Sequence, residues 1–404
     1  MDLDCFCEGT IISPFIISLS KSLTMKSNKL IVSLVLFVCI GGISAQTENG
    51  ISLVEEATIE STVLNEERNI RIYFPRDYHS SDIRYPVLYL LDGGTHFQHA
   101  VSAVNFLKVH DKTPDMIIVA IINVDRNRDF SPVHDEGALT SGGAEKFLEF
   151  VSDELVANMD RDFRTSGFNI LMGHSLGGTF ATYALFTKPE IFDAYIAISP
   201  YLQFADNYLV NKSLESLKPY EDKGKYFYMT VGNEPDYYQA LDAFSSAMKL
   251  RTEGTVDFKY DKMLSEDHST VPYISLFNGL RFVFSEWEFP REKLQIGLEA
   301  VDAHYVSVSS KYGYEIKTPE NIINLLGYTH LQNNEIERAI YVFKENVKRY
   351  SGSANVYDSL GDAYENDIQY KLAAKNYQKA YELGLELNDP NTAIYKRNME
   401  RVQK

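Results

Sequence analysis

Residues 169–178, Asn-Ile-Leu-Met-Gly-His-Ser-Leu-Gly-Gly, constrain the fold more than any other stretch. Ile170, Leu171 and Met172 form an apolar run that stops at Gly173, and Ser175 sits between Gly173 and Gly177. Residues 179–186 then have helical spacing. The order is strand, sharp turn, helix, with a serine on the turn: the G-x-S-x-G arrangement that lifts a nucleophile off a strand end. A serine so placed is strained, and a Cβ at Gly173 or Gly177 would crowd it against strand and helix.

Such a turn belongs in a sheet. Residues 51–75 read as paired strands, with alternation over residues 70–74 ended by Pro75. Residues 85–91 are a continuous apolar run, the mark of a strand buried on both faces, and end in Asp92-Gly93-Gly94. Residues 116–122, 195–198 and 226–231 are further runs of this kind. Residues 144–159 and 239–250 are helical stretches between them. Strands alternating with helices predict an α/β fold with a mostly parallel central sheet. Ligands of such sheets bind beyond the carboxyl ends of the strands, where Ser175, the glycines and several acids fall.

The two ends of the chain read differently. Residues 25–29 are basic, residues 30–40 almost wholly apolar, and residues 41–45 small. This predicts a secretory signal peptide cleaved after Ala45, with Met25 as the start and residues 1–24 an upstream extension. The apolar stretch is short for a membrane span; an uncleaved anchor is the alternative, and no span is expected in the mature chain. Cys5, Cys7 and Cys39 all lie in this leader, so the mature chain has neither disulfides nor thiolate metal sites. A secreted or periplasmic protein is expected. A net charge of −17 repels phosphate backbones and argues against a nucleic-acid partner.

Residues 46–290 form the predicted catalytic domain, and after Phe289-Pro290 the pattern turns wholly helical over residues 291–404. Leu326-Gly327 is followed by Ala339 and Phe343, and Leu360-Gly361 by Ala373 and Tyr377, at the same offsets and with 34 residues between the glycines. That period resembles tetratricopeptide repeats. Two repeats fall short of the usual minimum, so the segment is expected to pack against the sheet domain or use the helix near residues 291–310 as a cap. It is either a stabilising appendage or a surface for a peptide or protein partner. Trp287 reads as packing.

Serine needs a base to take its proton, and the base needs an acid to hold its tautomer. Only His268, His304 and His330 follow Ser175. The latter two lie in the helical tail, whereas His268 lies in a polar loop after the predicted strand 256–263, which makes it the candidate base. The acid should follow the preceding strand, which leaves Glu234 and Asp236. Glu234 is favoured because Pro235 biases it to an extended backbone; the other is expected to cap the following helix. The oxyanion amides should be Leu176 and Gly94, with Gly93 the alternative. Arg126 and Arg128 rim the site after a buried strand. One of them can hold an anionic or phenolic group of a substrate, or pair with Asp129 as a loop staple. His174, inside the turn, is a further candidate substrate contact. Ser141 reads as the cap of the helix from residue 144. No metal or cofactor is implied.

Several segments together resemble the putative esterase family that includes esterase D and enterochelin-esterase-like proteins. They are Leu90-Leu91-Asp92-Gly93, residues 126–132, Ser141-Gly142-Gly143-Ala144 before Phe147-Leu148, the Gly173 to Gly178 turn, Ser199-Pro200 and Asp267-His268-Ser269. The resemblance spans about residues 51–290 and leaves the tail outside it. It implies an α/β-hydrolase fold and a serine hydrolase acting on small-molecule carboxylic esters, siderophore-like or aryl and acyl, with Ser175 as nucleophile and His268 as base. An acyltransferase on the same machinery and a non-catalytic binding protein using the helical repeats are the alternatives.

Overall fold

The computed structural model describes residues 47–48, 51–215, 224–251 and 255–403, which belong to the compact unit Ile43–Lys404. The expected signal peptide and upstream extension, and the three cysteines, lie outside the described residues.

Strands β1 (Thr47–Glu48) and β2 (Ile51–Ser52) form a short antiparallel ladder. The remaining strands are β3 (Val54–Ser61), β4 (Glu66–Tyr73), β5 (Tyr85–Leu90), β6 (Ile117–Ile121), β7 (Thr165–His174), β8 (Ala194–Ile198), β9 (Lys225–Val231) and β10 (Val256–Lys262). They make one eight-stranded sheet in the order β10-β9-β8-β7-β5-β6-β4-β3. Every neighbouring pair from β10 to β6 is parallel; β4 and β3 join antiparallel at one edge.

The apolar runs are buried on both faces, as predicted. Val87, Tyr89 and Leu91 point into one core with Phe147, Phe180 and Phe244, while Leu88 and Leu90 point into the other with Val104, Leu276 and Val301. A strand's period of two divides one run between two cores. Val87, Leu88 and Leu90 are wholly inaccessible, and burying each such side chain contributes roughly 1.5–3 kcal/mol.

Helices cover both faces. They are α1 (Gly93–Val109), α2 (Arg126–Phe130), α3 (Ala144–Glu149), α4 (Ala157–Asp162), α5 (Leu176–Thr187), α6 (Phe204–Glu215), α7 (Pro235–Arg251) and α8 (Val271–Val283). The predicted helix from residue 144 continues to Asp162, but through a π-helical stretch, Phe150–Val156, between α3 and α4. Ser141 does not cap it. Gly142 turns the chain at φ +100° and Gly143 becomes the first flanking residue of α3. The Ser141 hydroxyl instead accepts the Asp135 amide at 2.8 Å and closes the preceding loop.

The tail comprises α9 (Leu298–Tyr312), α10 (Glu320–Gln332), α11 (Ile336–Arg349), α12 (Ala354–Asn366), α13 (Tyr370–Leu387) and α14 (Thr392–Val402). Gly297, at φ +115°, breaks the expected helix near residues 291–310 into a 3-10 turn and α9. Leu298, Val301, Tyr305, Ile323 and Leu326 share the core beneath α1 and α8, so α9 and α10 pack on the sheet's helical layer. The Tyr312 hydroxyl donates to the Val283 carbonyl at 3.1 Å. Trp287 packs edge-on to Phe284 and Tyr305. Helices α11 to α13 gather a separate core around Phe343, Tyr364 and Tyr377. A Cβ on Gly327 would overlap the Phe343 ring, and one on Gly361 would meet the Tyr377 ring at 2.6 Å.

Candidate active site

The strand β7 ends at His174, helix α5 starts at Leu176, and Ser175 alone makes the turn, at φ 57° and ψ −120°. That conformation costs an L-residue about 1–3 kcal/mol and persists only where its surroundings hold it. They do. The Ser175 amide donates to the Ile198 carbonyl at 2.9 Å, and its carbonyl accepts the Thr179 amide at 3.0 Å and the Tyr201 amide at 3.3 Å. A Cβ on Gly173 would overlap the Gly177 carbonyl, so only glycine lets strand and helix approach this closely.

Of the two candidate acids, the structure brings Glu234 to His268. Glu234 Oε1 contacts His268 Nδ1. Its other oxygen accepts the Ser199 hydroxyl at 2.5 Å and the Gly232 amide at 3.0 Å. The Glu234 side chain is 8% exposed and that of His268 40%. The carboxylate is thus fixed from behind, orients Nδ1–H toward itself, and leaves Nε2 as the free basic nitrogen. Asp236 is exposed in the first turn of α7, where a carboxylate complements the helix dipole. The loop carrying His268 is stiffened by Asp267, whose carboxylate accepts the Ser269 and Thr270 amides at 2.8 and 3.0 Å.

Two residues that sequence reasoning missed close the cluster. The Tyr237 hydroxyl lies near the Ser175 side chain, and its ring centroid is 5.7 Å from that of His268. Tyr201 stacks beside Tyr237 at 5.8 Å. Burial pushes the Tyr237 phenol up from its ordinary range, so it stays a neutral hydroxyl. The only sequence signals were the proximity of Tyr201 to Ser199-Pro200 and of Tyr237 to the acid loop.

Leu176 is the first residue of α5 and Gly94 the second of α1, in first turns whose amides have no acceptor within their own helices. The two helix starts adjoin: a Cβ on Gly177 would lie 3.2 Å from the Asp92 carboxylate. A Cβ on Gly93 would meet the Ala120 backbone at 2.8 Å, whereas Gly94 faces open space. Gly93 is therefore a packing requirement, whereas a side chain at Gly94 would meet nothing within 4 Å.

Arg126 and Arg128 are both engaged by the protein's own carboxylates. Arg126 donates from Nε and Nη2 to Asp92 at 2.6 and 2.9 Å and from Nη2 to the His174 carbonyl at 3.1 Å. It clamps the end of β5 to the serine turn. Arg128 donates to Asp129 at 2.8 Å and to Glu66 at 2.6 and 3.0 Å. Hydrogen bonding to Arg128 holds the Glu66 carboxyl below its ordinary range. Asp129 also pairs with the wholly buried Arg68 at 2.7 Å. The loop staple is the arrangement observed, in place of a guanidinium kept free for a substrate anion.

His174 packs against His268 with the rings tilted and their centroids 4.5 Å apart. Its Nε2 is buried without a hydrogen-bond partner. Burial, then the neighbouring His268 and His96, bring its pKa down to about 3. It is a neutral ring at any physiological pH.

A mostly parallel sheet that carries a serine on a strand–helix turn, with a histidine and an acid on later loops, defines the α/β-hydrolase fold. Residues 61–273 match the model of the family described as "Putative esterase", and the chain belongs to that family. Its class chemistry is carboxylic ester hydrolysis. Over 150 residues the chain is 29% identical to the ferri-bacillibactin esterase BesA of Bacillus subtilis (strain 168), covering 32% of this chain and 52% of that protein. The chain thus spans about half the length of that relative. Over 245 residues it is 25% identical to the siderophore triacetylfusarinine C esterase of Aspergillus fumigatus, covering 50% of this chain and 83% of the relative. The crystal structure of an IroE-like serine hydrolase from Shewanella oneidensis superposes with a TM-score of 0.63 at 28% identity, over 74% of this chain and 99% of that one.

Proposed function

We propose that this protein is an exported serine esterase that hydrolyses siderophore-like carboxylic esters through an acyl-enzyme on Ser175. The observation that carries the reading is the Glu234–His268 pair, buttressed by Ser199 and Gly232, beside a serine held in a strained turn. In this reading His268 Nε2 takes the Ser175 Oγ proton as Oγ attacks the ester carbonyl carbon. The carbonyl oxygen becomes an oxyanion, and the Leu176 and Gly94 amides donate to it. Glu234 stabilises the imidazolium without itself taking the proton. His268 returns the proton to the departing alcohol. Water, deprotonated by His268, then attacks the acyl carbon and releases the acid.

The substrate class rests on the two relatives named as siderophore esterases. Export rests on the residue pattern of positions 25–45. The tail is read as tetratricopeptide-like because the glycine-to-ring contact recurs, Gly327 on Phe343 and Gly361 on Tyr377; a peptide or protein is the partner it would take.

Hydrolysis of a p-nitrophenyl ester series by the purified protein and its Ser175→Ala variant tests the mechanism. Ser175-dependent turnover is expected, with the variant lower by about 10⁴-fold or more and equally well folded. Equal rates would overturn it. Mass spectrometry of the natural N-terminus is expected to find Gln46 first; a peptide containing residues 30–40 in the mature protein would overturn export with cleavage.

A further inference from the structure

A cavity of about 440 Å³ opens between the start of α1 and the loop that carries His268. Thr95, His96 and His99 form one wall, and Ser269, Thr270 and Tyr273 the other. It adjoins the candidate machinery on two sides, because Thr95 follows Gly94 and Ser269 follows His268. From the cavity a row of imidazoles leads back to the base. Ring centroids are 5.1 Å apart for His99 and His96, 5.7 Å for His96 and His174, and 4.5 Å for His174 and His268. Tyr273 lies 5.8 Å beyond His99.

Three nitrogens of this row, His99 Nε2, His96 Nδ1 and His174 Nε2, are buried with no hydrogen-bond partner in the protein. These nitrogens have almost no accessible surface, so they are sealed within the row, and the cavity meets His96 and His99 at their other atoms. No lysine or arginine lines the cavity, and Glu266 at its edge is an acid. Burial holds His99 at a pKa of about 4 and lowers that of His96, so both imidazoles are neutral at pH 7. A neutral imidazole can donate from one nitrogen and accept at the other. The volume lies within the range of small-molecule sites.

We propose that this cavity is the subsite for the alcohol portion of the ester, and that it selects an uncharged ring-sized group bearing a hydroxyl over the same group bearing a carboxylate. The alcohol side is assigned because His268, whose loop forms one wall, delivers the proton to the leaving alcohol. The inference rests on the esterase reading above. A hydroxyl in the cavity can pair with an imidazole of His99 or His96 where the ring lines the wall. A carboxylate there finds no cation and faces Glu266.

Benzyl acetates carrying 4-hydroxymethyl, 4-methyl or 4-carboxylate substituents test this, because the substituent lies far from the reacting carbonyl. For the full chain, kcat/KM is expected to favour hydroxymethyl over methyl by about tenfold, and over carboxylate by more. In His99→Phe, which keeps a ring but removes the nitrogens, the hydroxymethyl-over-methyl ratio should fall to about one. In His99→Lys the carboxylate substrate should gain on the other two. A ratio unchanged in both variants, with Ser175-dependent turnover intact, overturns the subsite and spares the esterase. A second readout does not depend on turnover. Benzene-1,4-dimethanol, the alcohol product, should shift the ¹⁵N resonances of His96 and His99 in the Ser175→Ala protein, and 4-(hydroxymethyl)benzoate should not. Shifts confirm the cavity even if no ester is turned over. Equal shifts from both compounds, or none from either, overturn it.

Discussion

Gly173 and Gly361 each occupy a position that a methyl group does not fit, yet they serve opposite kinds of construction. At Gly173 the obstacle is backbone: the Gly177 carbonyl, with the Gly178 amide nitrogen 2.9 Å away, inside a turn whose serine is already strained. At Gly361 the obstacle is the Tyr377 ring, a side chain in an ordinary helix pair. One region stores conformational strain at Ser175, the proposed nucleophile; the other relaxes two helices against each other. The difference teaches where the molecule can yield. A ring can tilt by a few tenths of an ångström, whereas a carbonyl fixed in both strand and helix cannot.

The sharpest way to break the comparison is Gly173→Ala. Its Cβ has nowhere to go without parting β7 from α5, so a loss above about 4 kcal/mol is expected, read as a collapse in soluble folded protein or in the urea midpoint. A Gly173→Ala protein as stable as the parent would show that the turn is not strand-locked. Next comes Glu234→Gln, which keeps the shape of the acid but removes its charge. Because Glu234 also accepts from Ser199 and Gly232, the fold should hold while kcat falls by about 10²–10⁴-fold. Asp236→Asn, on an exposed first-turn acid, should leave kcat within about twofold. If the two variants trade places, the acid assignment is wrong.

Gly361→Ala probes the other side of the comparison. The Tyr377 hydroxyl is shared between Asp362 and Glu365, both at 2.7 Å, so the ring is tethered at its far end and can give only part of the space. A loss of about 1–3 kcal/mol is expected, with ester turnover per folded molecule unchanged. Thermal unfolding and a standard ester assay read the two numbers. A fall in turnover matching the fall in stability would mean that tail and active site are one mechanical unit.

The same contrast explains what was legible in the sequence. Buried parallel strands announce themselves, because a run such as Val87 to Leu91 must be apolar at every position to fill two cores. The serine turn is legible because its steric demands fall on residues within two positions of Ser175. His268 could be reached by elimination, since the chain offers few histidines after the serine. The choice between Glu234 and Asp236 could not be read with the same force. Both follow β9, and what separates them is Ser199, which lies 35 residues earlier. His96 and His99 carry no local pattern at all, and Tyr237 only its place beside the acid loop; their meaning comes from rings that the fold brings together. Ser141 misled because a glycine with positive φ stands between it and the helix it was expected to cap. Arg126 and Arg128 stood open between two readings until Asp92 and Glu66 could be placed against them.

The smallest expected effect concerns charge in the tail. Asp358 is buried on α12, and Asn398 of α14 donates to its two oxygens at 3.0 and 3.3 Å. Burial, with some help from the Asp362 charge, pushes its carboxyl up to about 6. A folded pKa above the ordinary 3.8 means that the folded chain binds the proton more tightly than the unfolded one. The charged form therefore weakens the fold, and this contribution grows as pH rises from about 4 through about 6 and is fully present above it, at about 3 kcal/mol at most. Asp358→Asn keeps the acceptor for Asn398 and removes the charge. It should stabilise the protein by about 1–2 kcal/mol at pH 8 and lose most of that advantage only near pH 4, with α12 and α14 showing the change in hydrogen exchange. Wild type and variant differing by the same amount at both pH values would mean that the carboxylate is solvated, and that the α12–α14 contact is looser than Asn398 makes it. The serine turn offers no counterpart, since its strain is carried by backbone that does not titrate; a pH-dependent gain confined to the tail would separate the two regions by the kind of energy each one holds.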